Sequence, residues 1–389
     1  MNTISSNNPL PTARITILDE MRGIALFAIF LCNLLSFTEA HIGDKGTFSY
    51  FLYQLIHSLF GDSSRPLFSF MFGVSMLLIY DAAVKKGVRP YMLLLRRMLI
   101  LLVFGAVHLF GIWAGDILFM YALDGLMLLL FVRIKPVWLM IIGSLLFVIM
   151  SSVMNEYGSS LFSYAWYMPD YWIMQGVGLL PQPDLVYTNE YIFSSLTEWG
   201  LAIQHLPFFL FGMVAYRKQI FTRIPLYPRR FWILGSILLL VGLLGKIGSN
   251  FEIIQAGSSI FYIGSSFFNF AVTVGAIFII ILLGSRQGRI ATKLSYFAPV
   301  GRMAFSNYLM QSLVFVSIFT ASGKTIFASL GWIGSINYTY VVLMAIVFFI
   351  IQMIVSHYWL KLFNYGPFEW LWRIGTNLQI PPFRKIKKS

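Results

Sequence analysis

The stretch Ile17–Leu35, ILDEMRGIALFAIFLCNLL, is apolar and of membrane length, yet it opens on Asp19, Glu20 and Arg22 and carries Asn33 near its far end. A helix needs about 20 apolar residues to cross the hydrocarbon core of a bilayer, and this run supplies them. Charged groups inside such a segment are costly, face a protein interior or water, and mark function by default. Asp19 and Arg22 are three apart and meet on one helix face. Arg22 and Asn33 are eleven apart, close to three full turns, so they share a face about 16 Å apart along the axis.

The same ruler, carried outward, gives ten expected spans at about 17–37, 65–83, 92–113, 117–133, 137–154, 197–216, 231–249, 259–283, 302–320 and 338–362. Only 11% of the 389 residues are charged and 58% are hydrophobic, whereas a soluble domain carries about 25% charged residues. The chain therefore reads as an all-α, polytopic integral membrane protein, one membrane domain over residues 1–389. Its formal charge of +13 does not point to nucleic acid, because Lys and Arg come in short runs between apolar segments. Those runs include Lys85 to Arg97, Arg217 to Arg230, Arg286 to Arg302, and the tail at about 374–389 with Arg384, Lys385, Lys387 and Lys388. The alternate loops are poor in both residues, so the positive-inside bias places both termini in the cytoplasm with an even number of spans.

The segment at about 155–196 lacks Lys and Arg and is expected outside the cell membrane. Its Trp166, Tyr167, Tyr171 and Trp172 form either an interfacial aromatic belt or a cap that contacts an acceptor molecule. Residues 48–60 read as a short interfacial helix. A lone cysteine, Cys32, leaves no disulfide framework, and no Cys/His spacing suits a metal. The N-terminus lacks a basic n-region and a small-residue cleavage site, so the first span is expected to be retained.

The third span repeats the arrangement of the first. In RRMLILLVFGAVHLFGIWAGDILFMYALDG, residues 96–125, Arg97 and His108 are also eleven apart, and Asp116 follows after a short turn. A carboxylate partner would stabilise His108 after it takes a proton; alternatively His108 is hydrogen-bonded within the bundle for structural reasons. Arg65 lies beside Asp62 at the outer mouth, and Asn307 and Gln311 stand one turn apart, where helix packing is the plainer role. In GPFEWLWR, residues 366–373, Pro367 suits a helix start, Glu369 and Arg373 have i, i+4 spacing, and the tryptophans suit an interfacial helix.

The stretches LDEMRGIALFAIFLCN, RPLFSFMFG, RRMLILLVFGAVHLFGIWAGDILFMYAL, GRMAFSNYLMQS and GPFEWLWR together resemble the YeiB-like family of bacterial membrane proteins, the family of domain of unknown function 418. That family looks like a branch of the transmembrane acyltransferase superfamily, which includes polysaccharide O-acetyltransferases and the lysosomal heparan-α-glucosaminide N-acetyltransferase. The resemblance implies a ten-helix-type bundle in the bacterial plasma membrane that uses cytoplasmic acyl-CoA to modify a sugar or other envelope component across the bilayer. Arg22 matches the basic residue of the O-acetyltransferase branch, but Asn33 stands where that branch has a histidine. The heparan branch has an asparagine there and takes its histidine from the following segment, where this chain has His41. His108 belongs to the YeiB-like pattern itself.

The expected chemistry is acyl transfer. Arg22, Arg96 and Arg97 would hold the phosphates of a CoA-type donor. His108, oriented by Asp116, would deprotonate an acceptor hydroxyl or amine, and Asn33 would hydrogen-bond the developing oxyanion. Asp19, Arg65, Asn307 and Gln311 are further candidates for a polar cavity. In an alternative reading the same residues bind substrate or relay protons in a small-solute transporter or exporter. A structural or sensory component without catalysis is the third.

Overall fold

From residue 16 onward the first helix, α1 (Thr12–Thr38), has so few exposed side chains that it must run through the middle of the molecule: Met21, Ala25 and Leu34 are wholly buried and Leu26, Ile29 and Phe30 nearly so. The computed structural model describes residues 12–38, 40–113, 115–156, 204–251, 253, 259–285, 289–319 and 336–385. The remaining helices are α2 (Phe48–Phe60), α3 (Ser64–Lys85), α4 (Pro90–Gly111), α5 (Leu118–Leu128), α6 (Pro136–Glu156), α7 (204–217), α8 (Pro228–Asn250), α9 (Ser259–Gly284), α10 (Ala304–Phe319), α11 (Tyr338–Leu362) and α12 (Pro367–Asn377). Short helices at Ile220–Arg223, Arg289–Ser295 and Ala298–Arg302 join some of them, and the described residues contain isolated β-bridges but no strand.

Six stretches of the described residues are long and apolar enough to cross a membrane: Thr16–Thr38, Phe48–Lys85, Pro90–Gly111, Pro228–Asn250, Gly264–Gly284 and Tyr338–Leu362. Their outer faces are apolar. Val103 and Val107 on α4, Leu240 and Leu244 on α8, and Val347 and Ile354 on α11 are all at least half exposed. Exposing a side chain of this size to water forgoes ~1.5–3 kcal/mol of burial, so this exterior suits hydrocarbon. Polar groups point the other way: Asp19, His108, Asp116, Lys246, Asn307, Gln311 and Gln352 are all buried.

Where both ends are described, the helix limits lie within a few residues of those expected, with two differences; the start of the sixth expected span, 197–203, lies outside the described residues. The fourth expected span, 117–133, is a helix only to Leu128, after which successive turns carry the chain to Ile134 and the proline that opens α6. The ninth, 302–320, is broken at Met303, where the short helix Ala298–Arg302 ends and α10 begins. Residues 157–203, almost all of the expected outer loop, lie outside the described residues, as do Arg286, Lys387 and Lys388.

Helices in lipid cannot rely on the hydrophobic effect to associate, and close approach at small residues replaces it. A methyl on Gly301 would overlap the Asp19 carbonyl, and one on Gly23 would overlap that of Phe297. The short helix and α1 thus cross backbone to backbone. Buried amides add to this. Gln311 Nε2 donates to Gln352 Oε1 at 2.9 Å, Gln352 Nε2 to the Asn307 carbonyl at 3.0 Å, and Asn307 Nδ2 to Ser356 Oγ at 3.0 Å, joining α10 to α11.

Candidate active site

Helices α1, α3, α4, α5, α10 and α12 surround a cavity of about 440 Å³, within the range of small-molecule sites. One end carries Asp19 and four arginines, Arg22, Arg97, Arg302 and Arg373. The crossing of α1 with Ala298–Arg302 puts Arg302 beside Asp19, and three turns of α4 keep Arg97 on the face that also carries His108.

Each of three arginines is held. Arg22 Nη1 donates to Asp19 Oδ1 at 2.8 Å and its Nη2 to Ser75 Oγ. The Arg97 guanidinium lies 3.6 Å over the Trp372 ring, whose Nε1 donates to the Arg97 carbonyl at 2.9 Å. Arg373 lies 4.4 Å over Tyr365. Of the four, Arg22 pairs directly with a carboxylate, Asp19. This end is therefore cationic.

Glu369, at i−4 from Arg373, does not pair with it. Its Oε1 accepts from the backbone N–H groups of Phe305 at 2.8 Å and Ser306 at 3.1 Å, and its Oε2 from Ser306 Oγ. A carboxylate there satisfies the unpaired donors of the first turn of α10. Burial pushes the Glu369 pKa up, and the Ser306 and Phe305 hydrogen bonds oppose that shift.

The opposite end of the cavity is apolar, with Leu26, Met98 and Leu101 on its walls, and it closes on Ile117, Tyr121 and Tyr308. Tyr308 Oη accepts the Ile117 N–H at 3.2 Å, and its ring lies 5.4 Å from that of His108. Behind it stand three buried side chains in a row. His108 Nδ1 is 2.7 Å from Asp116 Oδ1 and His108 Nε2 is 2.6 Å from Ser312 Oγ. Asp116 Oδ2 accepts the Phe119 N–H at 2.6 Å, fixing the first turn of α5. A methyl on Gly105 would overlap the backbone of Phe119, so the glycine is what lets α5 lie against α4 and bring Asp116 to His108. With Asp116 ionised, its two oxygens accept from Phe119 N–H and His108 Nδ1–H, which leaves the Nε2 lone pair facing Ser312.

The sequence candidates divide on this geometry. Asp19, Arg22 and Arg97 line the cavity, and His108 with Asp116 stands behind its apolar end. Arg96 turns away and donates to the Met92 carbonyl of its own helix at 3.3 Å. Asn33 is half-buried, off the cavity wall, and makes no hydrogen bond among the described residues. The space between the outer end of α1 and His108 is filled by Trp113, which packs on Phe37 at 4.4 Å and on His108 at 6.4 Å. Arg65 is off the wall, its carbonyl accepting from Ser69 Oγ at 3.0 Å and Tyr121 Oη at 3.1 Å. Asn307 and Gln311 belong to the seam between α10 and α11.

Sequence reasoning passed over Ser312, Tyr308, Arg302 and Arg373. It also passed over Lys246, a buried cation inside a span that donates to Ser63 Oγ at 2.9 Å and to the Gly61 carbonyl. A lysine in a membrane-length run was signal enough. Ser312 closes the quoted stretch GRMAFSNYLMQS, but a serine in an apolar helix ordinarily bonds back to its own backbone.

Residues 215–379 match a family described as protein of unknown function (DUF418). The chain is 30% identical to the uncharacterized protein YxaH of Bacillus subtilis (strain 168), over 99% of this chain and all of that protein. It is 28% identical to an uncharacterized 39.9 kDa protein in the amylase 3' region of Bacillus acidopullulyticus, over 93% of this chain and 94% of the relative. No solved structure matches. The chain belongs to the DUF418 family.

Proposed function

We propose that this DUF418 protein is a multi-pass membrane acyltransferase of the bacterial plasma membrane. It would cross the bilayer ten times with both termini in the cytoplasm and move an acyl group, acetyl by resemblance, from acyl-CoA to a hydroxyl or amine of an extracytoplasmic sugar or envelope component. The observation that carries this reading is one cavity with arginines at one end and, behind the other, a histidine held by a carboxylate.

Arg97, Arg302 and Arg373 make no direct ion pair with a carboxylate among the described residues, which suits them to a phosphorylated donor head. The apolar walls suit an uncharged arm and exclude water that would hydrolyse a thioester. His108 Nε2 takes the proton of the attacking hydroxyl or amine while Asp116 stabilises the imidazolium that results. Tyr308 is better placed than Asn33 to donate to the oxyanion, since its hydroxyl is at the cavity's end and its proton has no acceptor among the described hydrogen bonds. The test is acyl-CoA binding and transfer by protein purified in detergent. Wild type transfers, and His108→Ala loses transfer at unchanged abundance. Wild type that neither binds nor turns over acyl-CoA refutes the proposal.

A transporter is the second reading, favoured by Asp124, a buried carboxyl on α5 whose Oδ2 has no hydrogen-bond partner among the described residues. Such groups carry protons in pumps. Solute flux in liposomes without an acyl donor, abolished by Asp124→Asn, would support it.

A further inference from the structure

We propose that Ser312 is the nucleophile of the reaction, so that the acyl group passes through an ester on its Oγ before it reaches the acceptor. This rests on the acyl-transfer reading and specifies its route.

The argument begins with what His108 faces. Its Nε2 is the atom that takes a proton, and the group 2.6 Å from it is Ser312 Oγ. Its Nδ1 is bound at 2.7 Å to Asp116, which the Phe119 N–H holds in turn. Nucleophile, base and orienting carboxylate thus stand in series within hydrogen-bond reach, the arrangement that activates a hydroxyl. Ser312 Oγ also donates to the Tyr308 and Leu309 carbonyls at 3.2 Å and 3.1 Å, the back-bonds of a helical serine, and its proton has to turn from them to His108 Nε2 for the attack. Packing alone does not require a buried imidazole on that hydroxyl, nor a buried aspartate behind the imidazole. All three side chains are at most 1% exposed.

The placement also solves a problem of access. Ser312 lies two helical turns, about 12 Å, above the start of α10 where Glu369 binds. The donor's charged head belongs among the arginines at that lower end, and an acceptor present at the same time would have to share one cavity with the donor arm. An acyl-serine separates the two in time.

In the first step His108 Nε2 takes the Ser312 proton and Oγ bonds to the thioester carbonyl carbon. The carbon–sulfur bond then breaks and the leaving thiolate takes that proton, leaving as a thiol. In the second, the acceptor oxygen or nitrogen attacks the acyl carbon and gives its proton to His108. The carbon–Oγ bond breaks and Ser312 recovers the proton. Tyr308, one turn below on the same face, separates the cavity from Oγ; its ring has to tilt aside for either step while its hydroxyl stays beside the acyl carbonyl, where it donates to the oxyanion.

Two probes test this on the purified full-length protein. A fluorophosphonate, which reports an activated serine whatever the donor, should label Ser312 by peptide mapping in wild type, and labelling should vanish in Ser312→Ala and His108→Gln. Acyl-labelled acetyl-CoA followed by acid quench should leave the acyl group on Ser312. Ser312→Ala should lose at least ~100-fold in transfer, while Ser312→Cys should keep a covalent acyl group that neutral hydroxylamine releases. Size-exclusion profiles matching wild type show that both variants fold. Transfer in Ser312→Ala at the wild-type rate, or acyl label on another residue, overturns the proposal and leaves acyl transfer standing. Fluorophosphonate labelling of Ser312 without any turnover of acyl-CoA supports the nucleophile and refutes the donor. Absence of both labels refutes the nucleophile.

Discussion

Replacing Asp116 with asparagine tests the site at its least replaceable atom. The carboxylate accepts twice, from His108 Nδ1–H at 2.7 Å and from the Phe119 N–H at 2.6 Å. Asparagine retains one acceptor oxygen. If that oxygen stays on Phe119, the amide NH₂ faces His108 and can be satisfied only by a lone pair on Nδ1. The imidazole proton then sits on Nε2 and points at Ser312, so the base can no longer accept. The change turns the tautomer without emptying the site, and the expected loss of transfer is about 10²- to 10⁴-fold.

Stability should move much less. Asp116→Asn gives up the charge assistance of two buried hydrogen bonds, ~1–2 kcal/mol. Asp116→Ala also takes the acceptor from the Phe119 N–H in the first turn of α5, ~1 kcal/mol, and leaves a buried imidazole N–H unpaired, a further ~1–3 kcal/mol. The two variants should therefore be alike in activity and well separated in thermal unfolding, Asn near wild type and Ala below it. Acyl transfer and detergent-phase melting on the same preparations read both quantities. Wild-type turnover in Asp116→Asn would show that the pair is structural and that His108 does not act as a base.

The remaining expectations concern the arginine end and the helix seams. Arg97→Gln and Arg373→Gln should each weaken acyl-CoA binding about tenfold, the loss of ~1.4 kcal/mol, and added salt should weaken wild type more than either variant; equal affinities in titration calorimetry would remove both from the donor site. Gly301→Ala drives a methyl into the Asp19 carbonyl and should cost ~1–3 kcal/mol, seen as a lower melting temperature; an unchanged one would contradict the backbone contact. Gln311→Leu alone leaves Gln352 Oε1 without its donor at ~1–3 kcal/mol, whereas Gln311→Leu with Gln352→Leu should recover most of the loss. Melting curves of the single and double variants decide this, and a double variant no better than the single would place the two amides in some other role.

Much of the architecture was open to reading because a bilayer fixes segment length, and its polar residues were open to reading because they are expensive there. His108 with Asp116 was visible for a local reason: eight residues and one turn separate them, so few geometries keep them apart. Ser312 was not visible, since it reaches His108 across 204 residues of chain and nothing in the spacing records which helices become neighbours. Arg302 and Arg373 were hidden likewise, Arg302 read as a loop charge and Arg373 as the i, i+4 partner of Glu369. Arg96 and Arg97 could have been separated. Neighbours on a helix diverge by about 100°, so the register that puts Arg97 under His108 turns Arg96 away. Asn33 marks the limit of that argument: periodicity gives the face on which an amide stands, but not that Trp113 fills the space opposite.

The two distal motifs, Gly301–Ser312 and Gly366–Arg373, act as a single clamp. Glu369 holds the first turn of α10 through Phe305 and Ser306, and Trp372 on the same helix carries the Arg97 guanidinium. Whatever binds Arg97 and Arg373 therefore bears on α12, and α12 is tied to the start of the helix that carries Tyr308 and Ser312. An anion settling among the arginines and a ring tilting aside at Tyr308 are joined through one short helix and about one turn of α10. On the acyl-transfer proposal, a donor engaged at one end would in this way prepare the other, and a site without its donor would keep Ser312 closed to water.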